Sequence, residues 1–211
     1  MSRFVLARTL RATAGRLALG CFRTRVFGRE NVPAGGALLA GNHVSYMDPI
    51  LLWCGGPRPV HFMAKRELWD SSFLAWLLPR MWAFPVTRGE PDRAALAAAT
   101  DLLVSGELVG VFPEGTRAGD ATAGLRFAHG GAAFLALRAN VPLIPTAFVG
   151  TERIWPRGAR LPRLARATIS FGTAIDPAAV LPDGGRKERV TALTKVLMDR
   201  IAQELEQARG R

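Results

Sequence analysis

Apolar residues along the chain follow two patterns, short runs typical of buried strands and longer stretches with helical spacing. The runs predict strands at 22–27, 37–40, 60–64, 84–88, 108–112, 142–149 and 167–171. The helical spacing predicts helices at 46–53, 92–104, 130–138 and 190–205. Because strands alternate with helices, we expect a single α/β domain whose mostly parallel mixed sheet is flanked by helices.

The N-terminal segment is basic and amphipathic. Residues 1–29 hold seven arginines and no acidic residue, and Leu6, Leu10, Leu17 and Cys21 share one side of a helical wheel. This pattern predicts an amphipathic membrane-interface helix over residues 1–24, with leucines in the acyl boundary and guanidinium groups at lipid phosphates, ahead of a domain over 25–211. Two alternatives stay open: an organellar transit peptide, and a surface helix whose leucines pack on the core.

A second apolar segment, residues 71–87, is too short to cross a bilayer. It contains Arg80 and two prolines and lacks the run of roughly 20 apolar residues that a spanning helix needs. We expect it to contact the membrane interface only, through the large side chains Phe73, Trp76, Leu77, Met81 and Trp82. The chain is therefore predicted to associate peripherally, at the cytoplasmic face of the membrane.

The net charge of +11 predicts an anionic partner. A second basic cluster consists of Arg153, Arg157, Arg160, Arg163 and Arg166. Pro156 and Pro162 interrupt it, so we expect an irregular loop that contacts lipid phosphates, coenzyme A phosphates or an acidic carrier protein, or is simply solvated. Nucleic acid is not the expected partner, because only Trp155 is interleaved with these arginines and no recognition motif occurs.

The two cysteines provide neither a disulfide framework nor a metal-binding spacing, which favours a reduced, cytosolic setting and no metal site. Cys54 precedes His61 by seven residues, so a thiol nucleophile is one hypothesis. The simpler interpretation is that Cys54 is a small buried apolar side chain.

The stretch GNHVSYMDP, residues 41–49, follows a buried strand and combines His43 with Asp48. A carboxylate bonded to one imidazole nitrogen would fix the tautomer that lets the other nitrogen accept a proton. The same residues fit a helix-capping box, with Ser45 as the N-cap and Asp48 three residues later. A Ser-His-Asp hydrolase is disfavoured because the three residues lie within six positions and the chain has no G-x-S-x-G motif.

The stretch FPEGTR, residues 112–117, follows another apolar strand and is suited to phosphate. Its turn could direct backbone N–H groups and the guanidinium of Arg117 at one phosphate group. Arg88 follows a third strand. Because ligand-contacting loops collect at the carboxyl ends of parallel strands, we expect these loops and His43 to share one crevice.

Four blocks in order, Asn42-His43-x4-Asp48, FPVTR at 84–88, FPEGTR at 112–117 and VPLIP at 141–145, resemble the glycerolipid acyltransferase family over about residues 25–175. The resemblance implies acyl transfer from acyl-CoA or acyl-carrier protein to the free hydroxyl of 1-acyl-sn-glycerol 3-phosphate, without an acyl-enzyme or a cofactor. It implies that His43 is the general base and that Asp48 orients it. It places Arg88, Glu114, Gly115, Thr116 and Arg117 around the glycerol phosphate, and block 141–145 on the donor side or in the supporting sheet.

One position departs from the family pattern. Where many members have a lysine after the third block, this chain has Ala128, and Arg126 or His129 would have to supply the charge. The alternative is a different acceptor: glycerol 3-phosphate, another lysophospholipid or a glycolipid. A catalytically silent membrane-binding module would need the N-terminal helix but not His43.

Overall fold

The computed structural model describes residues 9–87, 92–113, 130–156, 158–180 and 184–211. Strands of this part of the chain form one sheet in the order β1-β7-β6-β2-β5-β3-β4. They are β1 (Arg25–Phe27), β2 (Ala37–Gly41), β3 (Val60–Lys65), β4 (Ala83–Val86), β5 (Leu108–Val111), β6 (Leu143–Val149) and β7 (Thr168–Phe171). Each predicted strand is present, with its ends shifted by at most a few residues.

The sheet is mixed but mostly parallel, as predicted. Strands β6, β2, β5, β3 and β4 run in the same direction. Strand β7 is antiparallel to β6, and β1 is parallel to β7. The carboxyl ends of the five parallel strands therefore meet at one end of the sheet, which is the end where the two polar loops were expected.

The helices are α1 (Arg16–Cys21), α2 (Met47–Gly55), α3 (Ser72–Leu77), α4 (Arg93–Val104), α5 (Gly131–Ala139), α6 (Thr151–Ile154) and α7 (Arg186–Arg209). A π-helical turn, Arg11–Gly15, precedes α1. Short 3-10 helices lie at Arg29–Asn31, Arg66–Asp70, Leu78–Met81 and Pro177–Val180. Helix α4 begins as its sequence predicts, because the Asp92 side chain accepts a hydrogen bond from the Ala95 N–H.

Helices cover both faces of the sheet. On one face α2 contributes Trp53 to a core that includes Phe148 and Phe171. On the other face α4, α5 and α7 pack their apolar sides, for example Leu103 and Leu197. Strand β2 is fully buried between these layers, which explains why its sequence is continuously apolar rather than alternating. Each fully buried leucine contributes roughly 1.5–3 kcal/mol to stability.

The predicted leucine stripe of the N-terminal helix is wrong in part. Leu10 and Leu19 pack against the core, whereas Leu17 is 69% exposed and Cys21 is exposed. The physical reason is the π-helical turn, which adds a residue to one turn and rotates the following positions away from α-helical spacing. Leu6 lies outside the described residues.

Arg11, one of the N-terminal arginines expected to contact lipid phosphates, instead binds the protein. Its guanidinium donates hydrogen bonds to the carbonyls of Trp53 (2.8 Å) and Gly56 at the carboxyl end of α2. A cation is stabilised there by the exposed carbonyls and the helix dipole. The segment before α1 is therefore docked on α2 through both packing and hydrogen bonds.

The apolar segment 71–87 divides into an exposed and a buried part. Phe73 is 65% exposed and Trp76 is 51% exposed, while Trp82, which we expected at the interface, is only 9% exposed. Trp82 is buried because it precedes β4 and its ring lies 6.0 Å from the ring of Trp53 in the core. Within the described residues, no helix is long and apolar enough to cross a membrane.

Two adjacent glycines before β2 provide a matched test of packing. A Cβ atom on Gly36 would lie 2.0 Å from the Leu103 carbonyl oxygen, whereas a Cβ on Gly35 would meet nothing within 4 Å. We expect Gly36→Ala to destabilise the protein by about 1–3 kcal/mol, because the backbone of α4 must move. At about 2–4 °C per kcal/mol, thermal unfolding would detect this change easily. Gly35→Ala is the control and should unfold close to the wild-type temperature; equal melting of both variants would contradict this packing.

Candidate active site

The loop that leaves β2 is fixed to the neighbouring strand by Asn42. The buried Asn42 side chain donates from Nδ2 to the Phe148 carbonyl (3.0 Å), and its Oδ1 accepts from the Phe148 N–H (2.8 Å). These two bonds satisfy both the N–H and the C=O of Phe148. Phe148 lies in β6 beyond Thr146, the last residue of β6 that pairs with β2. The backbone that carries His43 is thereby held at a defined place on the sheet end.

His43 and Asp48 form the predicted pair. His43 Nδ1 lies 2.8 Å from Asp48 Oδ2. The same carboxylate oxygen accepts hydrogen bonds from the N–H groups of Val44 and Ser45, both at 2.7 Å. The Asp48 side chain is fully buried, whereas the His43 side chain is 14% exposed. Asp48 lies in the first turn of α2, where the helix dipole favours a negative charge.

The capping prediction is confirmed in part: Tyr46 directly precedes the helix, but Ser45 makes the capping hydrogen bonds. Its Oγ accepts from the Met47 N–H (3.2 Å) and donates to the Trp155 carbonyl (3.3 Å), while its own N–H is bound by Asp48. Tyr46, which directly precedes the helix, makes no side-chain cap bond. Ser45 therefore caps the helix from one position further upstream, and the cap and the His43–Asp48 pair share one carboxylate.

An aromatic wall covers one face of the imidazole. The Phe112 ring stacks on His43 with centroids 4.2 Å apart and an interplanar angle of 23°. Phe112 in turn contacts the ring of Phe148 at 6.0 Å. Since Phe112 follows β5 and His43 follows β2, the stack joins the ends of two adjacent strands. The stack restricts rotation of the imidazole about its hydrogen bond to Asp48, a rotation that the bond alone would allow.

This geometry determines which imidazole nitrogen is free to accept a proton. An ionised carboxylate can only accept hydrogen bonds, so His43 Nδ1 carries the proton that points at Asp48. In the neutral ring Nε2 is then unprotonated. The arrangement can therefore remove a proton from a hydroxyl placed beside Nε2 and stabilise the imidazolium that forms.

The predicted phosphate-binding residues Arg88, Glu114, Gly115, Thr116 and Arg117 lie outside the described residues, as do Arg126, Ala128 and His129. The described residues on their N-terminal sides are nevertheless placed. Pro113 is buried and follows Phe112, which stacks on His43. Thr87 follows β4, and its N–H donates to Asp92 (2.9 Å). Thr87 and Phe112 therefore both lie at the end of the sheet where His43 lies.

The thiol hypothesis fails on burial. Cys54 is 8% exposed, and desolvation raises the pKa of its thiol to about 11 despite the nearby Arg11 guanidinium. Burial also lowers the pKa of His61, against the opposing effect of Glu107. Cys54 is therefore a protonated core residue at neutral pH. Among the described residues, no cluster of His, Cys, Asp and Glu is suited to a metal ion.

The sequence pattern assigns no role to several residues that shape the site. They are Asn42, Phe112, Phe148 and Trp155, and each acts through a contact between residues far apart in the chain. The one available signal was position, because Asn42 adjoins His43 and Phe112 begins the FPEGTR stretch.

Comparison with known proteins shows the family to which the chain belongs. The sequence model of the acyltransferase family matches residues 23–149. A 1-acyl-sn-glycerol-3-phosphate acyltransferase of Bacillus subtilis is 34% identical over 186 residues, covering 86% of this chain and 87% of that protein. A chloroplastic protein of the same name from Brassica napus is 30% identical over 141 residues, covering 65% of this chain and 40% of the plant protein.

The fold has a solved counterpart. The crystal structure of the 1-acyl-sn-glycerophosphate (LPA) acyltransferase PlsC from Thermotoga maritima matches with a TM-score of 0.81 and 23% identity, covering 99% of this chain and 82% of that one. The chain belongs to the acyltransferase family, as its four motif blocks predicted. It is an enzyme that transfers acyl groups.

The two cysteines should differ sharply in reactivity. At pH 8 we expect the exposed Cys21 to react rapidly with a thiol reagent, and Cys54 to stay unmodified until the protein unfolds, because burial raises the pKa of Cys54 to about 11. A Cys21→Ser variant isolates the Cys54 signal, and Cys54→Ala should keep its acyl-transfer activity. Rapid modification of Cys54 in the folded protein would contradict this assignment.

Proposed function

We propose that this enzyme moves a fatty acyl group from acyl-CoA or acyl-carrier protein to the free hydroxyl of 1-acyl-sn-glycerol 3-phosphate. The product would be phosphatidic acid, an intermediate of phospholipid biosynthesis. The observation that carries the proposal is the 2.8 Å contact between His43 Nδ1 and the buried Asp48 in a chain of this family. The names of the relatives, including a Bacillus subtilis protein aligned over 87% of its length, support the choice of acceptor.

The proposed reaction is a direct transfer. His43 Nε2 takes the proton of the acceptor hydroxyl as its oxygen attacks the thioester carbonyl carbon. The tetrahedral intermediate collapses with loss of the thiolate, which receives the proton from the imidazolium. Asp48 is a positioning residue in this scheme: it holds the required tautomer and stabilises the positive charge on the ring.

The surroundings of Ser45 and Cys54 argue against an acyl-enzyme. The Ser45 hydroxyl is already engaged between the Met47 N–H and the Trp155 carbonyl, so it is not presented to a substrate. The Cys54 thiol is buried and its pKa is raised to about 11, so it is neither accessible nor ionised. These were the two candidate nucleophiles of the sequence, and neither is available. A thioester donor is already activated, so a covalent intermediate is not required.

The acceptor phosphate would be bound by residues carried over from the family resemblance. Arg88, Glu114, Gly115, Thr116 and Arg117 follow β4 and β5 in the sequence, and β5 adjoins β2 in the sheet. The placement of Phe112 against His43 supports this assignment, because residue 114 is only two positions further on. Ala128 stands where many family members have a lysine. The experiment below therefore also includes the alternative acceptors.

We place the enzyme peripherally on the cytoplasmic face of the membrane, where a lysolipid acceptor resides. Phe73 and Trp76 form an exposed aromatic pair with ring centroids 6.4 Å apart. The Arg80 guanidinium lies 4.2 Å above the Trp76 ring. A cation that can bind lipid phosphate therefore adjoins the apolar surface. Their segment follows the carboxyl end of β3, which is the end of the sheet where His43 lies.

Substitution of the pair tests the mechanism. With palmitoyl-CoA and 1-acyl-sn-glycerol 3-phosphate, we expect His43→Ala and Asp48→Ala to lower kcat roughly 10²–10⁴-fold, since general-base catalysis is lost. Asp48→Asn should also be impaired, because an amide no longer stabilises the imidazolium. Product is measured by mass spectrometry, and circular dichroism monitors the fold.

The exposed Arg138→Gln variant is the matched control and should retain wild-type kcat. Wild-type turnover by His43→Ala would refute the general-base role. A panel containing glycerol 3-phosphate, other lysophospholipids and a glycolipid distinguishes the acceptors: a higher kcat/KM for any of these than for 1-acyl-sn-glycerol 3-phosphate would favour the alternative function.

The aromatic pair should contribute to membrane binding. We expect the double variant Phe73→Ser/Trp76→Ser to sediment with phosphatidylglycerol-containing vesicles at least roughly tenfold less than wild type, because two large apolar side chains no longer leave water. The control is Val104→Ser, since Val104 is similarly exposed (68%) but lies at the end of α4 that precedes β5, away from the site. Equal vesicle binding by the double variant and wild type would remove this surface from the proposal.

The N-terminal helix needs a milder test than truncation, because Leu10 and Leu19 support the core. Leu17→Ser alters an exposed side chain only, so a decrease in vesicle binding at an unchanged melting temperature would assign an interfacial role to this helix.

A further inference from the structure

A basic cavity lies apart from the His43 site. Its volume is about 340 Å³, and it is formed where the ends of β1, β6 and β7 meet the C-terminus of α7. Five arginines line it: Arg25, Arg153, Arg166, Arg209 and Arg211. The remaining lining residues are Val149, Thr168 and three alanines, so its wall contains no acidic residue.

The charge of this cavity is only partly balanced by its surroundings. Arg153 pairs with Glu152 at 3.8 Å, Arg209 with Glu206 at 3.4 Å and Arg211 with Glu204 at 3.7 Å. Among the described residues, Arg25 and Arg166 have no ion pair. Guanidinium groups gathered around a concave space repel one another, and a bound anion would relieve that repulsion. Their planar forks are suited to phosphate oxygens.

The cavity and His43 lie on either side of one strand end. Val149 is the last residue of β6, the strand that pairs directly with β2. Residues 150–155 then run from the cavity to the His43 loop: Arg153 lines the cavity, and the Trp155 carbonyl accepts the Ser45 hydroxyl. A ligand that occupied both places would pass over this short segment.

We infer that this cavity binds the phosphate groups at the nucleotide end of a coenzyme A thioester, and so serves as the donor subsite. The inference rests on the proposed acyl transfer. It favours acyl-CoA over acyl-carrier protein, because a cavity of about 340 Å³ is in the size range of small-molecule pockets and is concave, whereas a carrier protein presents a convex acidic surface. A bilayer surface is flat and fits the cavity equally poorly.

The dimensions allow one donor molecule to reach both sites. Strands β6, β7 and β1 lie one to three strand spacings from β2, roughly 5–15 Å at about 4.8 Å per strand. The pantetheine arm joins the diphosphate to the thiol through two amide groups. It equals about four residues of extended chain, or roughly 13 Å. The thioester can therefore lie at His43 while the phosphates lie among the arginines.

Direct binding tests the cavity without requiring turnover. The probe is adenosine 3′,5′-bisphosphate, measured by isothermal titration calorimetry on the full chain. We expect Arg153→Gln/Arg166→Gln to bind it at least roughly tenfold more weakly than wild type, because charge-assisted hydrogen bonds to phosphate are lost. Arg138→Gln, which removes an exposed arginine outside the cavity, should bind like wild type. His43→Ala should also bind like wild type, because it alters only the proton acceptor.

Kinetics provide the second measurement. In the double variant, KM for palmitoyl-CoA should rise while KM for the lysolipid acceptor stays constant. The preference for palmitoyl-CoA over palmitoyl-pantetheine, expressed as a ratio of kcat/KM values, should fall about tenfold, since only the former carries the nucleotide phosphates.

Three results would overturn the inference: nucleotide binding that the double variant leaves unchanged, a loss confined to acyl-carrier-protein donors, or a loss confined to binding of anionic vesicles. Failure of the acyl-transfer proposal has a different signature. In that case no thioester is consumed by wild type, while adenosine 3′,5′-bisphosphate still binds and the double variant still loses it.

Discussion

The buried carboxylate of Asp48 is the constraint on which the rest of the site depends. One of its oxygens accepts hydrogen bonds from His43 Nδ1, the Val44 N–H and the Ser45 N–H. Removing an ionised carboxylate from water costs several kcal/mol unless such bonds offset the loss of hydration. Here the same bonds that offset this cost also bend the chain from β2 into α2 and set the imidazole tautomer. Folding of the loop and selection of the imidazole tautomer are therefore one event.

The sheet gives this small motif its rigidity. Asn42 fixes the first loop residue to the Phe148 main chain of β6, and Phe112 of the β5 loop stacks on the other side against His43. Neighbouring strands on both sides of β2 thus contribute to holding five residues of loop. A side chain held within a fraction of an ångström needs this kind of support from packed elements, because a loop alone does not provide it.

Charge and apolar surface are distributed around this end of the sheet in different directions. The exposed Phe73 and Trp76 follow β3, toward the β4 edge. The arginine-lined cavity lies toward the opposite edge, beyond β6. In the proposed reaction the lysolipid would arrive from the side of Phe73 and Trp76 and the thioester from the side of the cavity, with the His43–Asp48 pair between them.

The sequence by itself determined the order of elements, the mostly parallel sheet, and the pairing of His43 with Asp48, because these depend on local patterns: apolar runs, helical spacing and a five-residue separation that a helix cap makes rigid. It did not determine which N-terminal leucines face the core, since a single π-helical turn alters the spacing. It also could not show that Trp82 is buried, that Phe112 covers the imidazole, or that arginines from residues 25, 153, 166, 209 and 211 share one cavity. Those contacts join positions up to 186 residues apart in the chain, and only the pairing order of the strands brings them together.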